Sequence, residues 1–282
     1  MGKAYSIHMF MPDGDPEGLR LVTRSNWTGI GVVFSRGEFP EVKKRDEFSR
    51  TGVYILVGQS DENELPIVYI GEGDPVLRRL EEHYRERDFW TWGVFFVTTD
   101  SSLNKAHGQY LETRLVAISQ TAKRCLLENK QTPQKASLTE WESADMEAFL
   151  EDILLILPLL GLDICTLPKR PRRKGQLILY LKSKGIEATG FENKEGFVVL
   201  KSSQAYGSEV TSCHRYIVNL RTDLVSQNVL TKDGRHFVFT QDYTFNSPST
   251  AAGVVQGRSA NGRLDWQDAS GRTLRAIQEA IE

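Results

Sequence analysis

Apolar stretches alternate with polar turns through the first hundred residues, and they predict a small sheet. The segments "GVYILVG" (52–58) and "PIVYIG" (66–71) are strand candidates, and the polar loop "QSDENEL" between them indicates a hairpin. A third strand is predicted for "TWGVFFVTT" (91–99), which is rich in aromatic and β-branched residues. Residues 4–48 also contain short strand patterns, so residues 1–48 are assigned as a β-rich lead-in.

Helical spacing of apolar residues follows these strands. A helix is predicted from Pro75, with Asp74 capping its free backbone N–H groups. Two further helices are predicted at 105–124 and 144–161, where apolar residues recur every three or four positions. Strands joined by a hairpin and followed by helices predict an α+β fold, with a small antiparallel sheet flanked by helices.

Charge divides the chain at Cys165. Residues 1–165 carry 18 Lys/Arg and 26 Asp/Glu, whereas residues 166–282 carry 17 and 11. An acidic first half and a basic second half favour two modules, of which the second is better suited to a polyanion.

A linker is predicted at "TLPKRPRRKG" (166–175), which has two prolines and five basic residues. Its Arg172 and Arg173 could also contact a phosphate backbone. We therefore expect a first domain at 49–165 and, after the linker, a second small, β-rich α+β domain at 176–282, closed by a helix around 272–281.

Several classes of protein are excluded by simpler signals. The three cysteines (Cys125, Cys165 and Cys213) form no Cys-x-x-Cys pair, which argues against a zinc site or a disulfide framework. The N-terminus lacks the basic-then-apolar pattern of a signal peptide. The apolar run at 153–162 is too short for a bilayer and contains Pro158. We expect a soluble cytoplasmic protein with no membrane partner.

Two glycines lie between strand and helix in "VYIGEGDPVLRRLEEH" (68–83). Such glycines often hold phosphates, but a dinucleotide fingerprint needs a third glycine where this chain has Val76. A Walker loop would end in Gly-Lys-Ser/Thr, which this segment lacks. No nucleotide cofactor is predicted, and the glycines could simply permit a sharp turn.

The same segment carries side chains for a different chemistry. Arg79 and His83 are four residues apart and share one helical face. Arg78 lies beside them and is predicted to bind DNA. Tyr54 and Tyr69 lie on strands that are predicted to pair, so both phenols can project from one sheet face toward that helix.

Glu112, in "QYLETRL" of the second helix, adds a carboxylate. This combination suits phosphodiester hydrolysis, because a phenol or imidazole can relay the proton of an attacking water and an arginine can stabilise charge on phosphorus. A lone carboxylate can hold one largely hydrated Mg²⁺. Each residue also has an ordinary structural interpretation, so the prediction depends on the combination.

Gly52-Val53-Tyr54 and Tyr69-Ile70-Gly71, with Arg79 and Glu112 downstream, resemble the GIY-YIG nuclease family over residues 50–135. The resemblance implies that family's fold, an antiparallel sheet flanked by helices. It also implies DNA as the partner and Mg²⁺ (or Mn²⁺) as the cofactor.

By the same resemblance, Tyr54 and Tyr69 lie at the core of the site, Arg79 binds phosphate and Glu112 ligates the metal. Two further positions match less specifically. His83 stands where some members have a histidine or tyrosine, and Asn129 resembles an asparagine that often follows in these enzymes.

The chain departs from the family pattern at Glu72, directly after the second motif, where many members have a lysine or a small polar residue. A carboxylate there would repel phosphate unless it faces away or joins the metal. Val53 in place of isoleucine is common, and the polar loop absorbs the fourteen residues between Tyr54 and Tyr69.

The C-terminal part, with "SPSTAAG", "GRSANGR" and Trp266, resembles the uncharacterised DUF4357 domain. Ser247 is predicted to cap a helix that begins at Pro248. Exposed donors on a glycine-rich turn suit contacts to phosphates or base edges, so three residues are predicted to bind DNA: Arg258, Asn261 and Arg263. The alternative is a structural hairpin with Trp266 in the core.

Together these features predict a bacterial Mg²⁺-dependent DNA endonuclease, linked by its architecture to restriction, phage defence or DNA repair. The resemblance implies products with 5′-phosphate ends. The alternative is a catalytically inactive DNA-binding or modified-DNA-sensing protein that uses the nuclease fold as a platform.

Overall fold

The computed structural model describes residues 4–59, 62–129, 136–167, 176–183 and 185–280. The chain divides into two compact units, Met1–Ser60 with Pro66–Cys165 and Asp61–Leu65 with Thr166–Glu282. Both contain helices and small antiparallel or mixed sheets, so the predicted α+β class is confirmed. Arg172 and Arg173 lie outside the described residues, as does most of the predicted linker.

The first unit is built on a seven-stranded sheet. Its strands are β1 (Ile7–Phe10), β2 (Arg20–Arg24), β3 (Gly29–Ser35), β4 (Gly52–Gly58), β5 (Ile67–Gly73), β6 (Trp92–Thr98) and β7 (Leu126–Leu127). Their spatial order is β1-β2-β3-β6-β4-β5-β7, and every neighbouring pair is antiparallel except β5 with β7. The predicted hairpin is β4 with β5, and the predicted third strand is β6.

Residues 1–48 do not stand apart as a lead-in, because β1 to β3 extend the same sheet. β3 pairs along its whole length with β6, from Gly29 opposite Thr98 to Ser35 opposite Trp92. β3 and β6 are far apart in the sequence, so the local pattern of residues in either strand does not predict that they pair. Val22 and Phe34 are fully buried as a result.

Helices cover both faces of this sheet: α1 (Phe39–Val42), α2 (Val76–Glu86), α3 (Lys105–Ala122) and α4 (Glu140–Ile156). Leu111 of α3 and Phe149 of α4 pack on the face that carries Ile55. Leu80 of α2 packs on the opposite face with Leu56. Successive side chains of β4 point to opposite faces of the sheet, and helices cover both faces. Every residue of this strand is therefore buried.

Two predicted helix boundaries are wrong. α2 begins at Val76 with Pro75 at the N-cap, whereas Asp74 accepts a hydrogen bond from Thr51 Oγ1 at 2.6 Å instead of capping the helix. α4 begins four residues before the predicted start, because Thr139 forms a reciprocal capping box with Glu142. It ends in a 3₁₀ turn at Leu157–Leu160. Within the described part of the chain, no helix is both long and apolar enough to cross a membrane.

The second unit contains two small antiparallel sheets and four helices. One sheet has the order β14-β10-β9-β8 and the other β11-β13-β12. The strands are β8 (Leu179–Ser183), β9 (Ile186–Asn193), β10 (Gly196–Val199), β11 (Gln204–Tyr206), β12 (Leu230–Asp233), β13 (His236–Phe239) and β14 (Tyr243–Phe245). The helices are α5 (Arg215–Ser226), α6 (Pro248–Gln256), α7 (Gly262–Asp265) and α8 (Leu274–Glu279).

Two predictions for this unit are confirmed. Ser247 caps α6 by accepting from the backbone N–H of Thr250, with Pro248 as the first helical residue. Trp266 is fully buried, with its ring centroid 4.6 Å from that of Phe197. The segment "HFVFTQDYTF" (236–245) contributes strands to two different sheets, β13 and β14.

Candidate active site

The pairing of β4 with β5 brings the two phenols together. Tyr54 lies opposite Gly71, and Tyr69 lies opposite Leu56 two residues along. Since directly opposed residues point to the same side of a sheet, both rings project from one face. Their centroids are 6.2 Å apart and the rings are nearly parallel, at 27°.

Gly71 makes room for the Tyr54 phenol. A Cβ built at this glycine would lie 3.0 Å from Tyr54 Cε2, and closer still to Cζ and Oη. Real Cβ atoms do not approach a ring this closely, so a larger residue would displace the hydroxyl. The glycine of the second motif is thus required by the tyrosine of the first.

His83 of α2 packs on both rings. Its Nε2 is 2.7 Å from Tyr54 Oη, and its ring centroid is 4.7 Å from that of Tyr69. Burial, together with the charges of Arg87 and Arg79, lowers the pKa of His83 to about 4. The imidazole is therefore neutral at physiological pH, and which of its nitrogens carries the hydrogen depends on the tautomer.

Tyr54 is a phenol that holds its proton firmly. Burial, with a smaller contribution from Tyr69, raises the pKa of Tyr54 well above its usual value, although the charge and hydrogen bond of Arg79 oppose this. Tyr54 nevertheless lines a cavity of about 310 Å³ that is partly open to solvent. Tyr69 and Arg79 line the same cavity.

The two arginines of α2 differ in environment. Arg79 is held by an ion pair with Glu82 and lies beside Tyr54. Arg78 is 80% exposed and reaches the same Glu82 at 3.6 Å. Both line the cavity, and Arg78 is the more exposed of the two.

Glu72 lines this cavity together with Glu112. Burial, reinforced by the neighbouring Glu72, raises the pKa of Glu112 to about 7, and Arg79 opposes the shift. Burial also raises the pKa of Glu72, whereas Lys105 and Arg79 lower it. Glu72 therefore does not face away from the site.

Lys105 is a cavity residue that the sequence analysis missed. It is the first residue of α3 and lies seven positions, about two helical turns, before Glu112. That spacing puts both side chains on one helical face and could have identified the lysine once Glu112 was singled out.

Asn129 does not line the cavity. Its Oδ1 accepts from the N–H of Ile70 at 3.0 Å, and its Nδ2 donates to the C=O of Ile70 at 2.7 Å. The amide thus continues the parallel pairing of β7 along β5, between Tyr69 and Gly71. Asn129 positions this strand and makes no contact with the cavity.

Arg87, at the end of α2, is a second residue that sequence reasoning missed. Its guanidinium carbon lies 4.4 Å from the centroid of the Tyr69 ring, within the range of a cation–π interaction. The same guanidinium is 3.9 Å from a carboxylate oxygen of Glu128. Arg87 thus contacts the ring of Tyr69 without lining the cavity.

The three C-terminal residues predicted to bind DNA are engaged within their own unit. Arg258 donates to Gln256, to the C=O of Ser259 and to Asp265. Asn261 caps α7 by accepting from the N–H of Arg263. Arg263 Nε donates to Gln278 at 2.9 Å. The glycine-rich turn is a short capped helix instead of an open loop, and DNA contact through these residues stays a prediction.

The donor set of the cavity limits which metal ion it could hold. Among the described residues, no group of three or more His, Cys, Asp or Glu side chains could coordinate an ion. Glu72 and Glu112 supply oxygen ligands alone, which suits a hard cation that keeps most of its water, such as Mg²⁺. A buried Glu72 oxygen without a hydrogen-bond partner fits the same requirement.

Comparison with known families bears on the second unit. Residues 179–278 form a DUF4357 domain, a domain of unknown function. The match runs from the start of β8 into α8, so it includes both small sheets. Neither a curated protein nor a solved structure matches the chain. The predicted DUF4357-type domain is confirmed, while the likeness of residues 50–135 to GIY-YIG nucleases remains a resemblance.

Proposed function

We propose that residues 49–165 act as a GIY-YIG-type nuclease that hydrolyses DNA phosphodiester bonds with Mg²⁺ or Mn²⁺. One observation supports the proposal: five side chains from β4, β5, α2 and α3 meet at one cavity. Tyr54, Tyr69, Arg79 and Glu112 line it, and His83 is hydrogen-bonded to Tyr54. A purely structural role would not require phenols, a guanidinium and a half-buried carboxylate around solvent-filled space.

Arg79 is the phosphate-binding group in this proposal. Its ion pair with Glu82 fixes the guanidinium toward the cavity, and it is always charged. Lys105 and Arg78 add positive charge at the rim. Charge that develops on phosphorus is stabilised by groups held in place before the reaction begins.

Tyr54 and His83 form the proton path. A water in the cavity gives its proton to Tyr54 Oη while the phenol passes its own proton to His83 Nε2, 2.7 Å away. The hydroxide forms a bond to phosphorus as the bond from phosphorus to the 3′ oxygen breaks, which leaves a 5′-phosphate. Because the pKa of His83 is about 4, the ring starts neutral, and the imidazolium formed in this step readily gives its proton to the leaving 3′ oxygen, directly or through water.

Glu112 is the ligand for the cation, whose chemistry here is to neutralise the phosphate and the leaving oxygen. The carboxylate has no ion pair with another described residue, and burial, with a smaller contribution from Glu72, raises its pKa. Tyr69 closes the site beside Tyr54, with its ring held between His83 and Arg87.

A second candidate function is a DNA-binding or modified-DNA-sensing protein without catalysis. One observation favours it: the cavity is lined by four carboxylates (Glu72, Asp74, Glu82 and Glu112) and three basic residues (Arg78, Arg79 and Lys105). An excess of acid repels a phosphodiester unless a cation offsets it. In either case the protein acts on DNA in the cytoplasm, in restriction, phage defence or repair, and the DUF4357 domain contributes binding.

The test uses the full chain with plasmid, branched and methylated DNA, in Mg²⁺ or in EDTA. Wild type is expected to cut at least one substrate in Mg²⁺ alone, and Glu112→Ala and Arg79→Ala are expected not to cut. Arg85→Ala is the matched control, because Arg85 lies on the same helix and donates only to a backbone carbonyl of its own turn. Equal DNA binding by all variants with no cleavage by any would favour the non-catalytic function.

A further inference from the structure

Glu72 is the cavity residue for which the proposed hydrolysis has no role. Its Oε2 is buried and has no hydrogen-bond partner among the described residues. Gly108 of α3 lies against it, since a Cβ built there would be 3.3 Å from Glu72 Cβ and 3.7 Å from Oε2. The Glu72 side chain thus packs against α3, the helix that carries Glu112.

The other acids of the cavity already have partners. Glu82 pairs with Arg78 and Arg79, and Asp74 accepts a hydrogen bond from Thr51. Glu72 and Glu112 make no ion pair with any residue in the described ranges. Lys105 and Arg79 are the basic groups that act on Glu72, and Arg79 is the one that acts on Glu112.

A carboxylate oxygen that is buried without a hydrogen-bond partner is unfavourable, and a second carboxylate on the same cavity adds repulsion. A divalent cation bound by both carboxylates would give the buried oxygen a partner and would offset the repulsion between the two groups. Two carboxylates that leave most coordination positions to water are the usual protein contribution to a Mg²⁺ site. The buried oxygen of Glu72 therefore indicates a ligand that the described residues do not supply.

We propose that Glu72 is a second cation ligand, so that Glu72 and Glu112 together bind the divalent ion. This inference rests on the proposed function, in which Glu112 is the metal ligand. It also reverses the effect expected of an acid beside the second motif, because a carboxylate bound to the cation no longer repels the substrate phosphate.

Cation binding without DNA tests the inference directly. Mn²⁺ is titrated into the metal-free full chain by calorimetry, with free Mn²⁺ followed in parallel by electron paramagnetic resonance. The variants are Glu72→Gln and Glu112→Gln, which keep the side-chain shape. Asp74→Asn is the matched control, since it removes one negative charge from the same cavity and keeps an oxygen for Thr51.

Glu72→Gln is expected to weaken Mn²⁺ binding at least about tenfold, and Asp74→Asn by less than about threefold, because it changes only the long-range charge. If Glu72→Gln weakens binding no more than Asp74→Asn does, while Glu112→Gln abolishes it, the inference is overturned and the proposed function stands. If the wild type itself binds no Mn²⁺ at millimolar concentration, both fall.

Thermal unfolding gives a second readout that a damaged fold would not mimic. In EDTA, Glu72→Gln should melt at or above the wild-type temperature, because the amide removes an unpaired buried charge. Saturating Mn²⁺ should raise the wild-type midpoint and shift that of Glu72→Gln much less. An equal shift for the two proteins would overturn the inference.

Discussion

Gly71→Ala tests the packing on which the two phenols depend. The added methyl group would lie 3.0 Å from Tyr54 Cε2 and closer to Cζ and Oη, so the phenol must move by roughly 1 Å to restore van der Waals separation. Tyr54 is fully buried, and its hydroxyl is held 2.7 Å from His83 Nε2. The ring cannot move without losing that hydrogen bond.

The expected cost combines two effects. Overpacking a buried position costs about 1–3 kcal/mol, and losing the hydrogen bond adds about 1 kcal/mol. We therefore expect Gly71→Ala to lower the free energy of unfolding by about 2–4 kcal/mol, measured by urea denaturation in EDTA. Cleavage should fall by about a hundredfold, because a displacement of this size misplaces the proton acceptor.

Gly37→Ala is the matched control, since a Cβ at this exposed glycine meets nothing within 4 Å. A double-mutant cycle with Tyr54→Val isolates the contact: in that background Gly71→Ala should cost less than about 1 kcal/mol, because no ring lies over the glycine. The reasoning is refuted if Gly71→Ala is as stable as Gly37→Ala, or if its cost is unchanged in the Tyr54→Val protein.

Three further predictions concern single side chains, each measured by urea unfolding in EDTA. Asn129→Ala should destabilise the protein by about 1–3 kcal/mol, because both backbone groups of Ile70 lose their partner, and a neutral result would contradict its role as a strand brace. His83 has a folded pKa of about 4, so it contributes up to about 3 kcal/mol of stability that is present above pH 6.5 and is lost as pH falls through 4. Glu112 has a raised folded pKa of about 7, so it contributes stability at low pH that is lost as pH rises through 7. Glu112→Gln should therefore make stability rise more steeply between pH 4.5 and 7, and an unchanged pH profile would count against the raised pKa. Arg221→Met should cost about 3–5 kcal/mol, since this buried guanidinium binds Glu209 and two backbone carbonyls, and a stable variant would show these bonds to be dispensable.

The core of the candidate site could be predicted from the sequence because its determinants are local. Tyr54 and Tyr69 lie on adjacent strands of one hairpin, and strand alternation alone decides that they share a face. Arg79 and His83 are one helical turn apart. Each of these placements follows from a period of two or of about 3.6 residues.

The features that the sequence did not predict depend on long-range contacts. The pairing of β3 with β6 joins residues more than fifty positions apart, so nothing near residues 1–48 marks them as part of the sheet. The contact of Arg87 with Tyr69 is set by where α2 ends above the sheet. Glu72 could be identified as unusual from its position, but whether it faces the cavity depends on the backbone of α3 at Gly108.

The local structure around the C-terminal arginines was also not predicted from the sequence. Arg258 and Arg263 lie in a segment whose glycines and amides read as an exposed turn, yet its polar groups bond to one another. A short helix capped by Asn261 can have the same composition as a loop. The structure distinguishes them, because Arg258 donates to Asp265 and Arg263 donates to Gln278.

The most direct test of the central claim is DNA cleavage at saturating protein, with DNA affinity measured separately, for wild type and Glu112→Gln in Mg²⁺. The account predicts that the variant binds DNA about as tightly as the wild type and cuts it at least about a hundredfold more slowly. EDTA should reduce the wild type to the same low rate. Equal cleavage rates for the two proteins, or no cleavage of plasmid, branched or methylated DNA by the wild type, would contradict it.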